Sequence, residues 1–197
     1  MSDGDPIDAG PIHAGPGDGF GRLWTPHRIA YITGAAGKPV GEDDCPFCTI
    51  PGLSDVEGLV VARGESVYVV LNLFPYNGGH VLVVPFRHVA SYVDLDPAEL
   101  AEFAAVTQHA VRAITHASHP GGYNIGMNQG TAGGAGIAEH LHQHIVPRWG
   151  GDTNFMPVVA QTKVLPHLLG QVRESLVAAW LELGLPGKAV AGPASLT

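Results

Sequence analysis

Three histidines, His140, His142 and His144, occupy alternate positions in the run EHLHQHIVPRW at residues 139–149. Leu141, Ile145 and Val146 sit among them. Side chains two apart on a strand share a face, so the pattern predicts a β-strand with three imidazoles on one side. A single buried histidine is usually a hydrogen-bonded core residue. A row of three gathers groups that titrate near neutrality, for which packing alone has no use. Two chemistries suit it: a metal bound from alternate positions, or a nucleophilic imidazole flanked by helpers. Three adjacent alternate histidines would crowd a tetrahedral catalytic zinc, which disfavours the first in that form.

A nucleophilic reading places attack on His142, the middle member, with its other ring nitrogen held by an acceptor such as a backbone carbonyl. His144, and His80 from another segment, would orient phosphate oxygens and deliver a proton to the departing oxygen. Phosphorus accepts an imidazole and returns a labile phosphoramidate, so phosphoryl or nucleotidyl transfer fits. Acyl transfer would be expected to show a serine or cysteine nucleophile. The glycine-rich stretch QGTAGGAG at 129–136 stands directly before the histidine row, where bare backbone N–H groups could approach a phosphate. No Gly-Lys-Ser/Thr follows it, so it is not a Walker loop.

The chain has 2 cysteines, Cys45 and Cys48, in Cys-Pro-Phe-Cys. A redox pair normally opens a helix after a strand, whereas here an acidic loop precedes and Ile50-Pro51-Gly52 interrupts. Zinc suits the pair better, but the pair supplies two of four ligands. His88 and one histidine of the row are the candidates to complete the site.

These groups need positioning elements, and 197 residues suit one domain with tails. Residues 1–20 are Gly, Pro, Asp and Ser with little to bury and read as a disordered tail, 21–185 as a single domain, and 186–197 as a flexible tail. Residues 22–32 carry enough apolar side chains to dock as a short element. Strands are expected at 59–63, 66–72, 80–86 and 123–128, with Pro75-Tyr76-Asn77-Gly78-Gly79 turning the second into the third. Asp94 or Asp96 caps a long helix over 98–117, and a second helix lies within 162–183. The sum is an α+β domain on an antiparallel sheet of about five strands. A formal net charge of −8 argues against nonspecific binding to nucleic acid or to an anionic membrane. With no membrane-length apolar stretch and no signal sequence at the N-terminus, a cytoplasmic protein is the expectation.

The combined motifs resemble the histidine triad (HIT) family. The resemblance rests on His140-Leu141-His142-Gln143-His144-Ile145-Val146, on Leu71-Asn72, Pro75 and Gly79-His80 through Pro85, on His88, and on the glycine-rich loop. Residues 22–32 and 147–155 are similar to the branch containing the actinobacterial diadenosine tetraphosphate phosphorylases. That likeness implies a HIT-like fold, usually dimeric or larger, and nucleotidyl transfer through a nucleotidyl-histidine. The substrates implied are an adenine dinucleoside polyphosphate and inorganic phosphate, with no organic cofactor. It also implies His142 as nucleophile, His144 and His80 as phosphate helpers, Asn72 at the ribose and Asn128 near the transferred phosphate. Cys45, Cys48, His88 and His140 match the structural zinc site of zinc-containing members. Arg148 is expected to stabilise developing charge, and Trp149 to stack on a base or join a dimer contact. Two positions depart from the pattern. Gln143 replaces an apolar residue on the outward face of the strand, away from the catalytic face, where it would mark a polar or interface setting. Gly136 stands where hydrolases carry glutamine and phosphorylases tend to carry serine, which leaves water or phosphate as the acceptor.

Overall fold

The computed structural model describes residues 41–152 and 165–189. The segments expected at 1–20 and 22–32, and the end of the C-terminal tail, lie outside them. Among the described residues, five strands form one antiparallel sheet in the order β1-β2-β3-β5-β4: β1 Val60–Arg63, β2 Val67–Leu71, β3 Val81–Pro85, β4 Gly122–Met127 and β5 Gln143–Arg148. Three α-helices accompany it among the described residues: α1 Pro46–Thr49, α2 Pro97–Ser118 and α3 Leu169–Glu182. The fold is α+β, as the alternation and helical spacing predict.

Strands β2 and β3 are buried at every position, so their sequences read as continuous apolar runs. The two faces of the sheet nevertheless separate cleanly. Val67, Val69, Leu71, Val81, Val83 and Ile145 pack under α2 and α3. Tyr68, Val70, Leu82 and Val84 face the other way, onto Cys45 and Phe47. His80 and His144 share the parity of Leu82, which pairs directly with His144. The sheet therefore points its imidazoles away from the helices and toward the cysteine loop.

Helix α2 starts where the sequence predicts. Asp96 accepts from the Ala98 and Glu99 N–H groups (2.8 and 2.9 Å), and Glu99 accepts in return from the Asp96 N–H at 2.9 Å. Arg87, just past β3, donates to both Glu99 oxygens and ties the helix start to the strand end. That pairing holds the Glu99 carboxyl down at about 2. At the other end His119 adopts a left-handed conformation, φ 45°, before Pro120-Gly121.

Three expectations need correction. The histidine row is not all strand, because β5 begins at Gln143 and leaves His140 and His142 in an extended lead-in. Continued register would set Leu141 opposite Pro85, which has no N–H and whose carbonyl is taken by the His140 ring. Gln143 faces the helices, not an outer surface, and its amide meets the Thr107 hydroxyl of α2 at 2.8 Å. Residues 186–188 are tied to the sheet, since Arg63 and Lys188 exchange backbone hydrogen bonds and Trp180 donates to the Pro186 carbonyl.

Candidate active site and metal centre

The hydrogen bonds fix which nitrogen of each imidazole carries its proton. The Tyr76 N–H donates to His80 Nδ1 at 3.0 Å, so Nδ1 is an acceptor and the neutral ring is protonated at Nε2. His80 Nε2 lies 2.9 Å from His144 Nδ1 and donates to it. His144 must then carry its own proton on Nε2. A chain of donors thus runs from a backbone amide through two rings and ends in an N–H on His144.

His142 is set the opposite way. Its Nδ1 is 2.8 Å from the carbonyl of His140, which can only accept, so Nδ1 is protonated and Nε2 keeps its lone pair. The His142 and His144 ring centres are 5.1 Å apart, and the Phe47 ring covers His142 at 4.9 Å. His142 is 5% exposed. Burial lowers the affinity of His142 for a second proton, and burial together with the nearby His142 brings His144 down to about 4. Both rings are neutral at pH 7. An imidazole with a free lone pair thus stands beside a ring that offers an N–H.

Two residues before His142, the same side chain is put to another use. His140 is wholly buried and donates from Nε2 to the Pro85 carbonyl at 2.9 Å, which leaves Nδ1 as a ligand. That Nδ1 lies 3.3 Å from Cys45 Sγ and 3.4 Å from Cys48 Sγ, while His88 Nδ1 lies 3.3 Å from Cys48 Sγ. All four ligand atoms fall within 4.8 Å of one another. Tetrahedral zinc bond lengths imply nitrogen–sulfur separations of about 3.5 Å. The two sulfurs and two imidazole nitrogens, with one histidine already held by a carbonyl, therefore fit zinc. Burial and the neighbouring Cys45 push the Cys48 thiol up to about 11, so a thiolate here wants a cation. Helix α1 opens inside the Cys-Pro-Phe-Cys motif with Pro46 in its first turn, and Tyr68 anchors the loop by donating to the Phe47 carbonyl at 2.8 Å.

Comparison with known proteins identifies the family. The HIT domain family matches residues 54–151. The AP-4-A phosphorylase of Mycobacterium tuberculosis is 50% identical over 170 residues, covering 84% of this chain and 87% of that protein. The chain belongs to the HIT family. A zinc-bound histidine triad protein from Mycobacterium smegmatis is 30% identical, with TM-score 0.58 and coverage of 73% of this chain and 98% of that one. A uridylyltransferase at 16% identity and TM-score 0.62 shares the fold, over 81% of this chain and 52% of its own.

The remaining HIT positions fall at different distances from the imidazoles. Asn72 reaches His80, with Nδ2 3.4 Å from Nδ1, while its Oδ1 accepts from the Phe74 N–H at 2.9 Å. Asn128 lies one step beyond the β4–β5 ladder, where continued register sets it opposite His142. Gly136 is exposed in the loop that follows. Within that loop Gly133 is obligatory, because a Cβ there would come within 2.3 Å of the Gln129 carbonyl oxygen. Arg148 is four residues beyond His144, about 13 Å along a strand. Its guanidinium clasps Asp152 (2.6 and 3.0 Å) and Asn124 (2.8 Å). Trp149 donates to the Ser118 carbonyl at the end of α2. The structure thus brings eight of the expected residues into two adjoining clusters, the imidazoles with Asn72 and the four metal ligands, and sets Arg148 and Trp149 at the strand's far end. Phe47 and Tyr76, which touch the imidazoles, carry no motif weight; the only hint in the sequence is an aromatic residue within each short connecting segment.

Proposed function

We propose that this protein is a dinucleoside-polyphosphate phosphorylase that moves an adenylyl group from diadenosine tetraphosphate to inorganic phosphate, giving ADP and ATP. The observation that carries the reading is the His142 tautomer: Nδ1–H is bound to the His140 carbonyl, which leaves the lone pair on Nε2 of a ring whose centre is 5.1 Å from that of His144. The 50% identity to a protein named AP-4-A phosphorylase supports the choice of substrate.

His142 Nε2 attacks the phosphorus next to one adenosine. The bond from that phosphorus to the bridging oxygen breaks, and ATP departs with the proton that His144 carries on Nε2. The adenylyl-His142 that forms bears its positive charge on a ring whose Nδ1–H stays on the His140 carbonyl. Phosphate then attacks the same phosphorus, a proton returns to His144, and ADP leaves. Asn72 is assigned to the ribose, Asn128 to the transferred phosphate, and the amides of the 129–136 loop, Gly136 included, to phosphate charge. Arg148 and Trp149 brace the far end of β5. Cys45, Cys48, His88 and His140 would hold a structural zinc, which when bound would cross-link the loop that covers His142. The outer edge of β4, unpaired among the described residues, supports assembly as a homodimer or larger oligomer. Among the described residues no helix is long and apolar enough to cross a membrane.

Product analysis tests the reading. With diadenosine tetraphosphate, ADP and ATP are expected only when phosphate is added. AMP and ATP formed regardless of phosphate would assign water as acceptor and make Gly136 compatible with hydrolysis.

A further inference from the structure

The turn that joins β2 to β3 exposes more aromatic surface than a solvent loop requires. Phe74 is 80% exposed and Tyr76 is 53% exposed. Both stand on backbone that is tied down, since the Phe74 N–H donates to Asn72 and the Tyr76 N–H to His80. The Tyr76 ring lies 5.4 Å from His144 at an interplanar angle of 18°, and 4.8 Å from His80. Part of this ring covers two imidazoles, and about half of the side chain is left to solvent. An exposed aromatic ring on hydrogen-bonded backbone, contiguous with polar imidazoles, marks a place where a ligand's apolar part settles.

Position along the reaction selects which part. His144 carries the N–H that goes to the leaving oxygen, so a ring resting on His144 stands on the leaving side of the phosphorus. We propose that Tyr76 is the platform on which the purine base of the leaving nucleotide stacks, with Phe74 flanking it. Tyr76 is then a specificity-determining residue that favours dinucleoside over mononucleoside polyphosphates. The inference rests on the phosphorylase reading. A base stacked on an aromatic side chain contributes about tenfold to a hundredfold in binding, with little dependence on which base it is.

The test compares diadenosine tetraphosphate with adenosine 5′-tetraphosphate, which presents the same reacting phosphorus and a leaving group without a base. Phosphorolysis of each is followed as ADP formation by wild type, Tyr76→Phe, Tyr76→Leu and Tyr76→Ala, with circular dichroism confirming that each variant is folded. The wild type should prefer the dinucleotide in kcat/KM, and Tyr76→Phe should keep that preference. Tyr76→Leu and Tyr76→Ala should reduce the preference about tenfold or more, chiefly through KM for the dinucleotide. Equal losses on both substrates would overturn the proposal and leave Tyr76 as a cover for the imidazoles. An unchanged preference accompanied by a shift in sedimentation would overturn it in favour of a subunit contact. A wild type that cleaves neither substrate would remove the phosphorylase reading and this inference with it.

Discussion

His140 and His142 are two residues apart, both buried, and both donate one N–H to a backbone carbonyl. They differ in which nitrogen does so. His140 uses Nε2, toward Pro85 on the neighbouring strand, and presents Nδ1 to two thiols. His142 uses Nδ1, toward the carbonyl of His140 itself, and keeps the lone pair on Nε2. One side-chain type at one level of burial presents Nδ1 at one position and Nε2 at the other because each ring meets a carbonyl from a different side, which is what the proposed ligand and the proposed nucleophile require. The comparison also joins the two clusters, because the residue whose ring faces the thiols orients the His142 ring through its backbone carbonyl.

The largest expected effect breaks the pair at its reactive member. His142→Ala should lower phosphorolysis by about 10³-fold or more while the thermal midpoint stays near wild type. Wild-type-like turnover in that variant would end the mechanism. His140→Ala should do the reverse in kind: it removes a ligand and keeps the carbonyl that orients His142. Zinc content by metal analysis should fall along with the thermal midpoint, and turnover should drop only about 10- to 100-fold. Chelating the metal from the wild type should reproduce that pattern. A His140→Ala protein with full zinc and an unchanged midpoint would remove the metal assignment.

The strand pattern and the HIT motif made most of this legible in the sequence. Alternation puts His140, His142 and His144 on one face, and the cysteine spacing predicts a half-site beside which His88 and His140 lie in space. Other parts depend on contacts that spacing does not encode. Alternation predicts continuous strand through the row, yet Pro85 on the partner strand ends the ladder before His142. Arg148 shares the parity of the triad, but Asp152 four residues on captures its guanidinium. Thr107 and Gln143 are 36 positions apart, and nothing local announces that they meet.

A smaller effect sharpens the comparison through His144. Burial depresses its pKa in the folded state to about 4, from an ordinary value near 6.5. Between those values the unfolded chain binds a proton that the folded chain refuses, so stability rises with pH across this window. The contribution is fully present above pH 6.5 and is lost as pH falls toward 4. Urea midpoints at pH 7, 5.5 and 4.5 should decline less steeply in His144→Asn than in wild type; equal slopes would show that His144 does not titrate as described. Smallest of all, Thr107→Val should cost about 1 kcal/mol in urea unfolding and Gln143→Leu a similar amount. The double variant should cost less than their sum, because both remove one bond. Strict additivity would show that the pair is not coupled.

The central claim is that His142, and not its neighbour, carries the transferred group. The most direct measurement is rapid acid-free quenching of the enzyme with diadenosine tetraphosphate in the absence of phosphate, followed by peptide mass analysis at neutral pH. The account predicts an adenylyl adduct on His142 that disappears when phosphate is added and is absent from His142→Ala. An adduct on His140, on His144 or on no histidine while turnover proceeds would contradict it.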